Sequence, residues 1–186
     1  MKRRSSSLGF TLIELLVVIA IIALLMGLLF PAVIGAIETA KRNDARAHTQ
    51  QIASAVGVFW NDYGRLPVPD DNTAAEDDAA NFTEELSKDI IQILIGENTA
   101  VNPRDKVYLE IDSSNTDGTF LDPWGNQYLI KLDRDTNYKV SYGSGSQSFG
   151  VRAVVVSPGK DGLIGTEAAD DEELQDNVAN VDFGNN

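Results

Sequence analysis

An uncharged apolar run near the N-terminus constrains the fold of this chain more than any other feature. Residues 15–37 read LLVVIAIIALLMGLLFPAVIGAI, which is 23 residues without a charged side chain in a chain of 186. At about 1.5 Å per residue, a helix of this length spans roughly 35 Å and can cross the hydrocarbon core of a bilayer. A cleaved signal peptide has a shorter apolar stretch followed by small residues at its cleavage site. We therefore expect a retained transmembrane helix.

The charges around this run predict its orientation. Lys2, Arg3 and Arg4 precede it, and basic residues next to a membrane span tend to stay in the cytoplasm. The basic residues on the far side, at positions 41, 42 and 46, are interleaved with acidic ones. The chain is thus expected to cross the membrane once, with everything after about residue 38 outside the cytoplasm.

The composition excludes several classes of function. The chain has no cysteine, which excludes disulfide scaffolds, thiolate catalysis and cysteine-ligated zinc. Its single histidine, His48, excludes histidine-rich metal sites and argues against a histidine-dependent catalytic triad. Its 28 Asp and Glu against 15 Lys and Arg leave a net charge of −13, which argues against nucleic-acid binding. An enzyme would depend on carboxylates, hydroxyls or lysines. A membrane-anchored hydrolase with paired acids is one alternative, but we expect a protein without catalytic residues.

The helix is predicted to continue far beyond the apolar run, to Tyr63, where Gly64 and Pro67 end it. Its second half carries an apolar stripe with helical spacing, for a folded domain to cover, and a polar opposite face. His48 is expected at the edge of this stripe without a catalytic role. The stripe comprises His48, Ile52, Val56, Phe59 and Tyr63, and the polar face comprises Arg42, Arg46, Gln50 and Asn61.

The rest of the chain predicts a small α+β head with an antiparallel sheet. A second helix is expected from Phe82 to Ile95, with Asn81 or Thr83 as its cap, and residues 70–80 form an acidic solvated loop. Strands are expected at 107–111, 127–132, 138–142 and 151–156, joined as an antiparallel meander. The predicted organisation is residues 1–9 as a leader, 10–37 as membrane helix, 38–63 as its amphipathic continuation, and 64–186 as the head.

The acidity belongs almost entirely to the head. Residues 64–186 contain nine basic and twenty-four acidic side chains, whereas residues 10–63 contain three and four. The chain therefore reads as a nearly neutral long helix that carries a small acidic domain.

The string Gly9-Phe10-Thr11-Leu12-Ile13-Glu14 follows a short basic leader and precedes the apolar helix. It resembles the class III leader of type IV prepilins and type II secretion pseudopilins. The resemblance implies cleavage after Gly9 by prepilin peptidase, methylation of the new amine of Phe10, and polymerisation through the N-terminal helix. Glu14 would neutralise the amine of Phe10 in a neighbouring subunit. Pro31 occupies a position where the family commonly has a proline that kinks or locally unwinds the helix.

Two segments of the head resemble the same family. Asp122-Pro123-Trp124-Gly125 resembles a pseudopilin turn that leads into a strand, and residues 157–165 with 176–180 resemble the C-terminal loop of the major pseudopilin. In that loop the resemblance implies a calcium ion. Its expected ligands are the side chains of Asp161 and Asp176 and the carbonyls of Pro158 and Leu163. This chain has a longer loop, with Asn177 where an acid is common, and Asp170 or Asp171 could replace Asp176. The alternative is an acidic, solvated tail.

These features predict a structural subunit of a type II secretion pseudopilus, most similar to the major pseudopilin. We expect it in a bacterial inner membrane with its head in the periplasm, assembled into a periplasm-spanning helical filament. Its expected partners are further copies of itself, other pseudopilins or minor pilins, prepilin peptidase and an inner-membrane assembly platform. The alternative is a subunit of a type IV pilus that serves adhesion, motility or DNA uptake. Major subunits of such pili often carry a C-terminal disulfide, which this chain cannot form.

Overall fold

A computed structural model describes residues 11–69, 83–111, 119–142, 147–164 and 177–181 of the chain. The chain divides into two compact units, Met1–Ala40 and Lys41–Asn186. The described part has two helices and five strands. They are α1 (Leu12–Tyr63), α2 (Glu84–Leu94), β1 (Leu129–Leu132), β2 (Val140–Tyr142), β3 (Gln147–Phe149), β4 (Ala153–Ser157) and β5 (Val178–Ala179). Long helix and small antiparallel sheet together confirm the predicted α+β, pilin-like fold.

Helix α1 is 52 residues long and ends where the sequence predicts. Gly64 follows it with a φ of 66°, and its N–H donates to the carbonyl of Trp60 at 2.7 Å. Glycine suits this left-handed position because it has no Cβ. Residues on both sides of Pro31 remain helical, so the structure does not have the local unwinding that the family resemblance implies at this proline.

The second half of α1 packs on the head as its apolar stripe predicts. Ile52, Val56 and Phe59 are fully buried, while His48 and Tyr63, at the two ends of the stripe, are half-buried. Three smaller residues that the stripe does not include are also buried, which lets the sheet and loops approach the helix closely; they are Ala45, Thr49 and Ala55.

Helix α2 is confirmed, with bounds close to the predicted ones. The side chain of Thr83 caps it by accepting a hydrogen bond from the N–H of Leu86 at 3.2 Å. Such a cap satisfies one of the N–H groups that lack a partner inside the helix. The predicted start at Phe82 and the alternative cap Asn81 lie outside the described residues.

The described strands form two antiparallel sheets, but their order is not the predicted meander. One sheet has the order β1-β4-β5, with Leu129 opposite Val156, and β2 pairs only with β3, with Val140 opposite Phe149. The hairpin β2-β3 thus lies between β1 and β4 in sequence, without separating them in the sheet. Strand β4 takes the central position because all five of its residues are buried, as an apolar strand covered on both faces requires.

The strand predicted at 107–111 is wrong. The N–H groups of Tyr108 and Leu109 both donate to the carbonyl of Leu94, at 2.8 and 3.1 Å, and so satisfy the C-terminal end of α2. Leu109 is buried and Val107 is 55% exposed. Val107 and Leu109 are two positions apart and would share one face of a strand, yet one is exposed and the other is buried. The segment is an irregular loop in which the alternating residue types do not correspond to alternating burial. Strands β3 and β5 are additions that the sequence pattern does not predict.

Candidate functional site

The first described residues hold the Glu14 carboxylate in a capping box. Both the backbone N–H and the hydroxyl of Thr11 donate to Oε2 of Glu14, at 2.9 and 2.7 Å, and Glu14 N–H returns a hydrogen bond to Thr11 Oγ1 at 3.3 Å. This reciprocal pattern is the Thr-x-x-Glu signature of a helix N-terminus. Thr11 and Glu14 carry this signal in the sequence, three positions apart, and the charge of Glu14 alone does not indicate it. Gly9 and Phe10, the predicted processing site, lie outside the described residues.

The apolar half of α1 is exposed along its whole length. Its large apolar side chains are between 47% and 87% exposed from Leu12 to Ile37, and no part of its most apolar 18-residue window is buried. Among the described residues this is the one helix long and apolar enough to cross a membrane. An exposed apolar surface of this length needs lipid or other protein chains to cover it.

The Asp-Pro-Trp-Gly turn is held by the carboxylate of Asp122, which is 5% exposed. Its Oδ1 accepts hydrogen bonds from the N–H groups of Trp124 and Asn126, at 3.0 and 2.8 Å. Its Oδ2 accepts from the hydroxyl of Ser157 at 2.6 Å, in the strand that precedes the C-terminal loop. One carboxylate therefore fixes the turn and connects it to β4.

The same contacts position the C-terminal loop. Ser157 Oγ accepts the N–H of Gly159 at 3.1 Å, and the side-chain amide of Asn126 donates to the carbonyl of Gly159 at 2.6 Å. Gly162 has a φ of 73°, and a Cβ there would come within 3.1 Å of Asn126 Oδ1, so the loop requires glycine at this point. The loop is thereby seated on the Asp122 turn.

The loop brings together two of the expected calcium ligands. The side-chain amide of Asn177 lies 3.0 Å from the carbonyl oxygens of both Pro158 and Leu163. The hydrogen-bonded orientation has the amide nitrogen toward them, donating to both carbonyls. If the amide turns over, its oxygen joins the two carbonyl oxygens as a third acceptor, an arrangement that suits a hard cation. The sequence shows Asn177 only as a position where the family commonly has an acid, and does not predict that its side chain lies next to both carbonyls.

The two expected carboxylates of the site are placed less completely. Asp161 is exposed, and its Oδ1 accepts the N–H of Leu163 at 2.8 Å, so that it turns the loop at Leu163. Asp176, Asp170 and Asp171 lie outside the described residues. The donors that are described, two carbonyls, one amide and one nearby carboxylate, are all oxygen groups of the kind that Ca²⁺ binds, and they fit that ion.

His48 has a structural setting, as expected. Its Nδ1 lies 3.0 Å from the phenol oxygen of Tyr128, and its ring packs against Phe120 with centroids 5.0 Å apart. Burial raises the pKa of Tyr128, so this phenol keeps its proton and can donate it to the imidazole. Within the described ranges no three His, Asp or Glu side chains cluster as a metal site would require.

The geometry thus defines a class of protein: a long helix with an exposed apolar half, a capped glutamate at its start, and a small α+β head. Residues 4–30 match the family described as a prokaryotic N-terminal methylation motif. A protein of Pseudomonas aeruginosa, the type II secretion system core protein G, is 30% identical over 132 residues, which cover 69% of this chain and 75% of that protein. No solved structure matches the chain.

The chain belongs to the type IV prepilin-like pseudopilin family. It is a pilin-like structural subunit, and its family supports assembly with other pseudopilins into a filament. This assignment explains the exposed half of α1, since a filament subunit needs an apolar surface that its own head does not cover.

Proposed function

We propose that this chain is a subunit of a type II secretion pseudopilus, anchored in the inner membrane with its head in the periplasm. The observation that carries the proposal is the conjunction of the GFTLIE leader, the exposed apolar half of α1 and the similarity to the secretion protein of Pseudomonas aeruginosa. The relative's role in secretion favours this function over a type IV pilus. The head resembles that relative as well, because 132 matched residues extend well beyond the leader motif.

The processing step follows from the leader. Prepilin peptidase cleaves between Gly9 and Phe10 and methylates the amine of Phe10, which removes three basic residues and leaves a cation at the start of α1. The chain is then drawn from the membrane into the filament by an inner-membrane assembly platform. Mass spectrometry of the mature protein tests this: we expect a methylated Phe10 as its first residue, and a chain that still begins at Met1 in the presence of the peptidase contradicts it.

Glu14 supplies the charge that assembly needs. Thr11 already fixes the carboxylate in the first described turn of α1, and pairing with the amine of Phe10 in a neighbouring subunit would neutralise two charges that are costly at membrane depth. In the free subunit the capping box satisfies this carboxylate. We therefore propose that an incoming subunit exchanges one set of charge-assisted hydrogen bonds for another.

The effect of Glu14 is tested against a matched variant. Glu14→Ala should insert into the membrane normally and yield no filaments, whereas Glu14→Gln keeps hydrogen-bonding capacity without the charge and separates the two contributions. Membrane fractionation measures insertion, and electron microscopy of sheared filaments measures assembly. Normal filaments from Glu14→Ala would contradict the pairing.

We further propose that the C-terminal loop binds calcium. The carbonyls of Pro158 and Leu163, the side chains of Asp161 and Asp176, and the amide oxygen of Asn177 would hold the ion. When bound, calcium supplies positive charge that neutralises the acidic loop and ties its two ends together. The chain's own contribution is the Asp122 and Asn126 network, which seats the loop with both carbonyls turned toward Asn177.

A further inference from the structure

The head contains a groove of about 440 Å³ that the proposed function does not use. One side is formed by one face of α1, with Ala53, Gly57 and Asn61 at intervals of four residues. Across from them lie Tyr138, Arg152 and Asn180. We refer to it as the Arg152 groove. Its volume lies in the range of about 300–1,000 Å³ that is typical of binding clefts.

Gly57 leaves the floor of this groove open, and a glycine at this position lowers the stability of the helix. A glycine inside a helix is about 1 kcal/mol less favourable than alanine. A Cβ placed on Gly57 would meet no atom of the described residues within 4 Å, so no contact among them requires a glycine here. The missing side chain instead leaves space on the outer face of the helix, where something outside the chain can approach closely.

Arg152 presents a fixed positive charge in the groove. Its guanidinium lies 3.8 Å from the centroid of the Trp60 ring and 5.3 Å from that of Tyr138, so two aromatic rings hold it in place. Tyr138 has a φ of 63°, an uncommon conformation for an aromatic residue, and its ring contacts the guanidinium from that position.

The internal counter-ion of Arg152 neutralises it incompletely. Asp133 Oδ2 lies 3.6 Å from Nη1, beyond hydrogen-bonding distance, and among the described residues this buried Nη1 has no hydrogen-bond acceptor. Burial also raises the pKa of Asp133, which disfavours its charged form. Nη1 is itself buried, but the Arg152 side chain as a whole is 26% exposed and lines the groove, so an acceptor from outside can approach its exposed part.

We propose that the Arg152 groove receives a carboxylate side chain from the head of a second copy of this chain in the filament. Twenty-four acidic against nine basic residues in segment 64–186 mean that a neighbouring head presents mainly carboxylates. The carboxylate accepts hydrogen bonds from Arg152, while Gly57 and Ala53 leave room for its methylene groups. This contact rests on the proposed filament, and adds a site on the head to the helix contacts.

A size series at Gly57 tests the groove without removing Arg152, whose loss could disturb the head. Gly57→Leu extends a side chain into the groove from a position where a Cβ meets no described atom within 4 Å, and leucine is a better helix former than glycine, so the head should melt at the same or a higher temperature. We expect its filament yield to fall about tenfold, which corresponds to roughly 1.4 kcal/mol. Gly57→Ala should lose less. Val58→Leu, on the neighbouring face, where Val58 is 44% exposed, is the matched control and should assemble within about twofold of wild type.

Cross-linking identifies the occupant. The chain has no cysteine, so Asn61→Cys places a single thiol at the groove for a benzophenone–maleimide label. Illumination of full-length chains in sheared filaments should give a dimer whose second peptide contains an acidic residue. Changing that residue to lysine in a second chain should lower filament yield as Gly57→Leu does.

Each other outcome overturns the proposal. An adduct with a different protein, an adduct within the same chain, or filaments without any adduct excludes a second copy as the occupant. Equal losses from Gly57→Leu and Val58→Leu mean that the groove has no particular role. A failure of the wild-type chain to form filaments contradicts the proposed function itself, and is seen before any groove variant is compared.

Discussion

The two halves of α1 belong to one continuous helix, yet their apolar side chains are covered in different ways. In the first half Leu28 and Phe30 are 72% and 69% exposed, whereas in the second half Ile52 and Phe59 are fully buried by the head. Both halves are apolar, so hydrophobicity alone does not say what covers a helix. The difference shows that the second half completes the fold of one subunit, and the first half is left for lipid and for other subunits.

Polar groups follow the same division. In the head, the buried carboxylate of Asp122 is satisfied by three donors within the chain. In the apolar half, the partner of the Glu14 carboxylate among the described residues is Thr11, at the start of the helix. The comparison predicts that changes in the head alter the stability of the subunit, and that changes in the apolar half alter assembly and leave that stability intact.

The largest expected effect is on the core of the head. Phe59→Ala removes a fully buried aromatic side chain and should lower the free energy of unfolding of the head by about 3–5 kcal/mol. Leu25→Ala truncates a side chain that is 52% exposed and should leave it unchanged. Denaturant unfolding in detergent, followed by fluorescence of Trp60 and Trp124, measures the head alone. A similar loss from both variants would end the distinction between the halves.

The buried carboxylate at the turn gives the second largest effect. Asp122→Ala leaves the N–H groups of Trp124 and Asn126 and the hydroxyl of Ser157 without their acceptor, and should cost about 2–3 kcal/mol. Asp44→Ala, at an exposed position of α1, should change stability by no more than about 0.5 kcal/mol. The same fluorescence assay checks both. A small cost for Asp122→Ala would mean that the turn holds its shape without the carboxylate.

Reasoning from the sequence predicts the helices better than the sheet, and the reason is physical. Both helices depend on nearby residues: the stripe that ends at Tyr63, the glycine at 64 and the cap at Thr83 all act within a few positions. The pairing of Leu129 with Val156 joins positions 27 residues apart, across an inserted hairpin. A strand as short as Val178–Ala179 forms because its backbone hydrogen-bonds to the edge of β4, and its two residues have no sequence pattern that would predict a strand.

The candidate sites divide in the same way. The leader motif, which includes Glu14, can be identified from the sequence because six adjacent residues form it. The contact of the Asn177 amide with the carbonyls of Pro158 and Leu163 cannot be predicted from the sequence, because it depends on the pairing of β5 with β4. The Arg152 groove cannot be predicted from the sequence for a similar reason. Gly57, Tyr138 and Arg152 come from separate segments of the chain, and only tertiary packing brings them together.

Calcium should make the head more stable while leaving the apolar half as it is. If the loop binds the ion, a concentration of about 100 times its dissociation constant adds about 2.7 kcal/mol to the stability of the head. A chelator should lower its melting temperature, and Asn177→Asp should enlarge the difference, because a carboxylate adds charge to the donor set. Differential scanning calorimetry with and without calcium measures this. An identical melting temperature in both conditions favours a solvated tail, with the amide of Asn177 closing the loop.

The smallest expected effect lies at the end of α1, where the helix passes into the loops of the head. Asp62 accepts hydrogen bonds from Lys106 and, at 2.9 Å, from the hydroxyl of Tyr108. The bond from Lys106, followed by that from Tyr108, lowers the pKa of Asp62 below its ordinary value of 3.8. A carboxyl with a lowered pKa in the folded state stabilises the protein above its unfolded pKa, and this contribution is lost as the pH falls through the folded pKa.

Lys106→Met should therefore shift the urea midpoint slightly at about pH 7, and the difference from wild type should shrink toward about pH 3. Because this pair is exposed to solvent, salt should weaken it as well. A difference that persists at low pH and high salt would assign the effect of Lys106 to packing of its methylene chain on Tyr108.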